Sequence, residues 1–156
     1  MILMAENIAG DLDDALTLWM KQVEKLTTLS DVEKFQIALA GAQVFKDRLT
    51  DVVNTKHRST HNDKVFGHAA DHVSIGMRDR GKSSEAFTNF NSYVVGWDNW
   101  YHAMNMLRAN DGTKRQLGDH FLTNLRRDPE LRSAILKAEK QKYTEILAKH
   151  RQEQEE

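Results

Sequence analysis

Apolar residues recur at helical spacing in three stretches of the chain. The first predicted helix runs from about Asp11 to Leu26, and the second begins at Ser30, which matches a capping box with Glu33. The second helix carries a heptad-like apolar stripe, typical of a core helix or of a coiled contact between subunits. We expect a core helix, with the inter-subunit contact as the alternative. The stripe consists of Phe35, Ala38, Ala42, Phe45, Leu49 and Val52.

The third predicted helix lies near the carboxyl terminus. Asp128 can cap it, and Pro129 suits the first helical position because that position needs no free N–H. The helical pattern extends to about His150. Residues 1–10 and 151–156 carry no such pattern, and we expect both ends to be flexible.

Two short strands are predicted between the second and third helices. Apolar and small residues alternate from Val73 to Met77, and residues 93–95 form an apolar run. The polar segments 54–64 and 78–89 are predicted to be loops. We therefore predict a single α+β domain over residues 1–156. In it, a small antiparallel sheet packs against a long helix of the N-terminal half and a C-terminal helix.

Composition narrows the function classes. A chain of 156 residues can bury a substantial core, and a net charge of -1 gives no overall attraction to nucleic acid or anionic lipid. The absence of cysteine removes disulfides and thiolate chemistry. The first five residues lack the basic flank and long apolar core of a signal peptide. No apolar run approaches the ~20 residues needed to span a bilayer, so we expect a protein of the cytoplasm with no membrane partner.

The histidines of the middle segment are the first candidate for chemistry. His57, His61, His68 and His72 form two pairs with the i, i+4 spacing that can place metal ligands on one helix face. The second pair resembles a zinc-protease helix, but Ala69 stands where that chemistry needs a glutamate. A ββα-metal nuclease site would need strands that this segment lacks. We therefore expect solvated or hydrogen-bonded histidines, and no metal site, catalytic residue or cofactor.

The same part of the chain is locally basic. Between residues 54 and 82, six lysines and arginines face three aspartates. Such a segment can contact phosphates, since each neutralised phosphate releases counterions. Apart from histidine, Phe66 is the only aromatic residue in this span, so base stacking is not indicated. We expect a solvated loop, with DNA or an acidic protein surface as the alternative partner.

Aromatic residues cluster where the second strand ends. Trp97, Trp100 and Tyr101 are either packing residues or interface anchors, because aromatic side chains are enriched at protein contacts. We select these three as the candidate partner interface. Further along, Gly112 after Asp111 predicts a turn that needs a positive φ angle.

Four short segments follow the striped helix in a set order. They read Lys64-x-x-Gly67-His68-Ala69-Ala70-Asp71-His72-Val73, Val94-Val95-Gly96-Trp97, Leu107-x-x-Asn110-Asp111-Gly112-Thr113 and His120-Phe121-Leu122. This order resembles a family of tailed-phage morphogenesis proteins over about residues 35–143. The family is that of siphophage tail-completion or minor tail components, the "gene 10" type, particularly forms from phages of lactic-acid bacteria. Its structural motif residues fall here on Gly67, His68, Asp71, Gly96, Gly112 and Thr113.

The resemblance implies an α+β fold and a non-enzymatic role in the virion. Members sit at the neck, where the tail tube meets the head connector, and act through ring assembly, which implies a hexamer of this chain. The implied partners are tail-terminator, tail-tube and head-connector proteins, with phage DNA in the channel nearby. The long polar segment before Asn91 and the bulky cluster at 97–101 depart from the family pattern. The alternative is a small metal-dependent, nucleic-acid-associated enzyme that uses the histidines from His57 to His72.

Overall fold

The structure, a computed structural model, describes residues 29–60, 64–77 and 93–153. The predicted helix from Asp11 to Leu26, the predicted loop at 78–89, and His61 lie outside these ranges, as do residues 1–10 and 154–156. The described helices are α1 (Asp31–His57), a short 3-10 helix (Ala69–His72), α2 (Trp100–Asp111), α3 (Phe121–Arg127) and α4 (Pro129–Glu153). The described strands are β1 (Val73–Met77), β2 (Tyr93–Trp97), β3 (Gly112–Thr113) and β4 (Gln116–Leu117).

The helix α1 begins at the predicted capping box. The Glu33 backbone N–H donates to Ser30 Oγ at 3.3 Å, and the Ser30 N–H donates to a Glu33 carboxylate oxygen at 2.8 Å. Both contacts lie within one turn of sequence, so they form without help from the rest of the fold. The prediction of the helix start is confirmed.

The other end of α1 extends further than the sequence predicted. Residues 54–57, assigned to a polar loop, form its last turn, so that part of the loop prediction was wrong. A tertiary contact holds this turn, since the His57 ring packs on Phe121 with centroids 4.5 Å apart. Val53, the residue just before the turn, is 1% exposed. Packing stabilises helical residues whose sequence alone does not favour a helix.

The stripe of α1 faces a core shared with the first sheet and with the helices that follow it. Leu49 and Val53 are each 1% exposed, whereas Phe45 and Val52 are only partly buried against the same cluster. The prediction of a core helix is confirmed, with Val53 rather than Val52 as the most buried residue at its end. The buried cluster consists of Leu49, Val53, Ala70, Val73, Met106, Phe121, Leu122, Leu125 and Leu131.

The predicted sheet is a two-stranded antiparallel ribbon. Its first strand is confirmed as Val73–Met77, and its second extends through Trp97, which lies opposite Val73. The sheet packs on α1, where Phe35 and Tyr93 meet edge to face with ring centroids 5.9 Å apart. The short hairpin of β3 and β4 was not predicted as strands.

The helix α4 lies antiparallel to α1 and begins at the predicted cap. Asp128 Oδ1 accepts from the Glu130 N–H at 2.9 Å. Near its other end, His150 Nε2 lies 2.5 Å from Glu33 Oε1 in the first turn of α1. The helix α4 continues past this contact to Glu153, and the flexibility of residues 151–156 stays a prediction.

The predicted α+β class is confirmed. The small antiparallel sheet packs against the long helix α1, and α4 packs along the same helix. Within residues 29–60, 64–77 and 93–153, no helix combines the length and the apolar character that crossing a bilayer requires.

Candidate functional site

The predicted aromatic interface is divided between the core and the surface. Trp97 packs against the core cluster, and its Nε1–H donates to the Ala69 carbonyl at 3.0 Å. Trp100 and Tyr101, in the first turn of α2, are 75% and 44% exposed. Asn99 sets that turn, because its side-chain oxygen accepts from the Tyr101 N–H at 2.8 Å. Trp97 therefore stabilises the fold, while Trp100 and Tyr101 present apolar area outside it.

Val65 and Phe66, which were not predicted from the sequence, extend this surface. The Phe66 ring stacks on the Tyr101 ring, with centroids 4.7 Å and planes 25° apart. Phe66 is 43% exposed and its neighbour Val65 is 81% exposed. We call the stacked Phe66 and Tyr101, together with their exposed chain neighbours Val65 and Trp100, the aromatic pad. The available sequence signal was an apolar pair inside an otherwise polar stretch.

Two stacked histidines lie beside the pad and hold its two segments together. His102 is 4% exposed, and its Nε2 lies 2.7 Å from the Phe66 carbonyl oxygen, so this nitrogen carries the proton. The His102 ring stacks on His72, with centroids 4.6 Å apart. His72 Nδ1 in turn lies 2.9 Å from Asp98 Oδ1. His102 is the positioning residue that sequence reasoning missed, since its spacing from other residues is not distinctive.

The upstream motif residues shape the backbone next to the pad. Gly67 has a φ of 67°, and a Cβ there would lie 3.3 Å from His72 Nε2, so glycine suits both the conformation and the space. The His68 carbonyl accepts from the Asp71 N–H at 3.0 Å and opens the 3-10 helix. Gly96 lies in β2, where a Cβ would meet no atom within 4 Å. Their contacts are structural and show no catalytic arrangement.

His57, the first of the predicted histidines, connects α1 to the start of α3. Its Nε2 lies 3.1 Å from Asp119 Oδ2, within ion-pair distance, although this buried nitrogen does not meet the geometry of a directed hydrogen bond. The other Asp119 oxygen accepts from the Phe121 N–H at 3.1 Å. His57 and His72 thus face different carboxylates. In the described part of the chain, no group of three His, Cys, Asp or Glu residues could hold a metal ion.

The downstream motif residues build a hairpin on a buried asparagine. Gly112 has a φ of 86°, which confirms the predicted turn glycine. Asn110 is 4% exposed, and its Oδ1 accepts from the backbone N–H groups of Leu122 and Thr123 at 2.9 and 3.0 Å. These N–H groups belong to the first turn of α3 and have no partner within that helix. Asn110 therefore joins the end of α2 to the start of α3.

The hairpin itself, residues 112–118, begins and ends at glycines whose backbones lie close together. A Cβ at Gly112 would lie 2.6 Å from the Gly118 nitrogen, and one at Gly118 would overlap the Asn110 carbonyl oxygen. Thr113 Oγ1 accepts from the Arg115 N–H at 3.3 Å and closes the turn. The residues from Asn110 to Phe121 thus form one connected unit. Their side chains, or the lack of one at the two glycines, serve to position the backbone.

Comparison of the chain with protein-family models, with curated proteins and with solved structures finds no match.

Proposed function

We propose that this chain is a virion structural protein of the head–tail junction of a siphophage. In this role it completes the tail and joins it to the head connector through ring assembly around the DNA channel. The observation that carries the proposal is the aromatic pad, in which Trp100 is 75% exposed and Tyr101 is stacked on Phe66. The resemblance of the surrounding motifs to tail-completion proteins supplies the biological setting.

The pad has the properties of a protein-contact surface. Contiguous exposed apolar surface marks interaction sites on soluble proteins, and the stacked rings of Phe66 and Tyr101 are both more than 40% exposed. Aromatic anchors lose little conformational entropy when buried, and truncating a central one commonly weakens association by ~2 kcal/mol or more. His102 fixes the pad in place through the Phe66 carbonyl. The surface is therefore held in one geometry before any partner arrives.

Ring assembly suits a chain with this surface. A heterologous contact repeated around a closed ring fixes the copy number, and the family setting makes a hexamer the expected form. The proposed neighbours are tail-terminator or tail-tube proteins on one side and head-connector proteins on the other. Phage DNA would pass through the channel, and the protein would reside in the virion neck.

The alternative, a metal-dependent nucleic-acid enzyme, draws no support from the described residues. His57 faces Asp119 and His72 faces Asp98, so the histidines that the hypothesis needs are committed to separate carboxylates. The described contacts of His68 are those of a backbone cap. A non-enzymatic assembly role therefore remains the function that we propose.

Particle joining tests the proposal directly. We expect Trp100→Ala to reduce the joining of tails to filled heads while the circular dichroism spectrum and thermal melt stay unchanged. Leu136→Ala is the matched control, since Leu136 is also an exposed apolar residue, 59% exposed, on the outer side of α4. Joining at the parent's efficiency by both Trp100→Ala and Tyr101→Ala would refute the assigned role of the pad. A chain that joins no particles in its parent form would refute the function itself.

A further inference from the structure

The hairpin 112–118 has a firmly held base and exposed side chains. Two backbone hydrogen bonds, from Asp119 to Ala109 and from His120 to Asn110, tie its end to α2 at 3.0 and 3.1 Å. The close glycine pair adds rigidity. Residues 113–117 are nevertheless all exposed, and Leu117 is 94% exposed. A rigid base beneath exposed side chains is the arrangement that a preorganised contact site needs.

The tip of the hairpin combines positive charge with an apolar group. Lys114 and Arg115 form the turn, and Leu117 follows on β4. A phosphate backbone would engage the cations but leave the leucine in water, and the hairpin offers no aromatic ring for base stacking. A protein surface with carboxylates beside an apolar floor would engage both.

A groove with that complementary chemistry lies between α1 and α4. It encloses about 330 Å³ and is lined by Val44, Arg48, Asp51, Glu130, Leu131 and Ala134. The single cation, Arg48, lies 3.9 Å from Asp128, so a third carboxylate offsets its charge. Asp51 and Glu130 then leave the groove negatively charged next to three apolar side chains.

We propose that the hairpin 112–118 of one subunit docks into the α1–α4 groove of a second copy of this chain. Leu117 enters the apolar floor, while Lys114 and Arg115 pair with Asp51 and Glu130. The 94% exposure of Leu117 shows that it does not fill the groove of its own subunit. Because the two surfaces differ, the contact is heterologous, and repetition gives a closed ring or an open filament. The inference rests on the proposed function for its setting, yet it concerns self-association alone.

Two charge-reversed variants of the whole chain test the contact. Lys114→Glu/Arg115→Glu reverses the hairpin, and Asp51→Lys/Glu130→Lys reverses the groove. We expect each variant alone to lose self-association by at least about 100-fold, because like charges then face each other across the contact. Sedimentation velocity measures the change, and thermal melts confirm that each variant is folded. Lys137→Glu/Lys140→Glu, on the exposed side of α4, is the matched control and should associate like the parent.

An equimolar mixture of the two reversed variants gives the sharpest result. Each hairpin in the mixture then finds a groove of opposite charge only on the other variant, so association should return in strictly alternating form. Leu117→Ser tests the apolar part of the contact without altering charge. We expect it to weaken self-association by at least about 10-fold, since a buried leucine side chain contributes roughly that much.

Three outcomes would overturn the inference. The first is a parent chain that stays monomeric at about millimolar concentration. The second is a mixture that does not associate. The third concerns Lys114→Glu/Arg115→Glu. If this variant self-associates like the parent but is no longer retained on duplex DNA, the two cations bind a phosphate backbone and not the groove. The proposed function is judged separately, because particle joining can fail while purified chains still associate through the groove.

Discussion

The buried His102 ring donates a hydrogen bond from Nε2 to the carbonyl oxygen of Phe66 at 2.7 Å. These residues belong to segments that are far apart in sequence, and both segments contribute to the aromatic pad. The bond fixes the Phe66 backbone, and the Phe66 ring then stacks on Tyr101. The pad therefore depends on a residue that is itself only 4% exposed.

Replacing His102 with phenylalanine should loosen the segment that carries Phe66 and lower the stability of the protein. Phenylalanine keeps an aromatic ring against His72 but cannot donate to the Phe66 carbonyl, and an unpaired buried polar group costs ~1–3 kcal/mol. We expect unfolding in urea at a correspondingly lower concentration, together with faster amide exchange at residues 64–67. Trp100→Ala, which removes an exposed ring but no hydrogen bond, is the control and should leave exchange there unchanged. Unchanged exchange in His102→Phe would show that the turn is held by other contacts.

Asn110 should be among the most sensitive polar residues of the described chain. Asn110→Ala removes the acceptor for two N–H groups at the start of α3, and the combined loss of a cap and a buried hydrogen-bond network costs about 2–3 kcal/mol. Asn124→Ala, the same substitution at an exposed position of α3, should cost less than about 0.5 kcal/mol. Equilibrium unfolding in urea measures both. Equal stability of the two variants would contradict the capping role.

Alanine substitutions along α1 should destabilise the protein in the order of how deeply each side chain is buried. Leu49→Ala removes a side chain that is 1% exposed and should cost ~2–5 kcal/mol by creating a cavity. Leu39→Ala makes the same change on the same helix at a residue that is 40% exposed, so its cost should be much smaller. Phe45 is only partly buried, so Phe45→Ala should fall below the full cost of removing a core ring. A Leu39→Ala variant as unstable as Leu49→Ala would mean that another surface covers the outer face of α1.

Local rules account for the parts of the fold that could be predicted from sequence. The Ser30–Glu33 capping box, the alternation from Val73 to Met77 and the cap at Asp128 all involve neighbouring residues, and the structure contains all three. The extra turn at 54–57 could not be predicted in this way. Its helical state depends on the packing of His57 against Phe121, which lie far apart in sequence.

The candidate site shows the same division. Trp100 and Tyr101 could be selected from the sequence because aromatic residues are enriched at protein contacts, and both are exposed in the structure. Val65 and Phe66 become part of the surface only because a histidine from α2 holds their turn, which no local pattern reports. Similarly, Gly112 was identified as a turn glycine, whereas its close approach to Gly118 depends on how the hairpin closes.

The contact between Gly41 and Glu139 predicts a pH dependence of stability. The Glu139 carboxylate packs directly over Gly41 where α4 crosses α1, and burial raises the pKa of Glu139 above its ordinary value of 4.5. The folded state therefore binds this proton more tightly than the unfolded state, so the ionised group lowers the free energy of unfolding as pH rises through that range. Glu139→Gln cannot ionise, and we expect it to melt at a higher temperature than the parent at pH 7. The difference should shrink as the pH falls below about 4.5, where the parent carboxyl is protonated in both states.

Hydrogen bonds from Ser30 lower the pKa of Glu33, which destabilises the fold in acid, but this effect is present in both proteins and cancels in their difference. Glu145→Gln, at an exposed position paired with Lys142, is the control and should not show the same gain at pH 7. A Glu139→Gln variant that gains nothing at pH 7 would show that the carboxylate is fully solvated beside Gly41. An equal gain at pH 4 would show that the gain does not come from removing the ionised group.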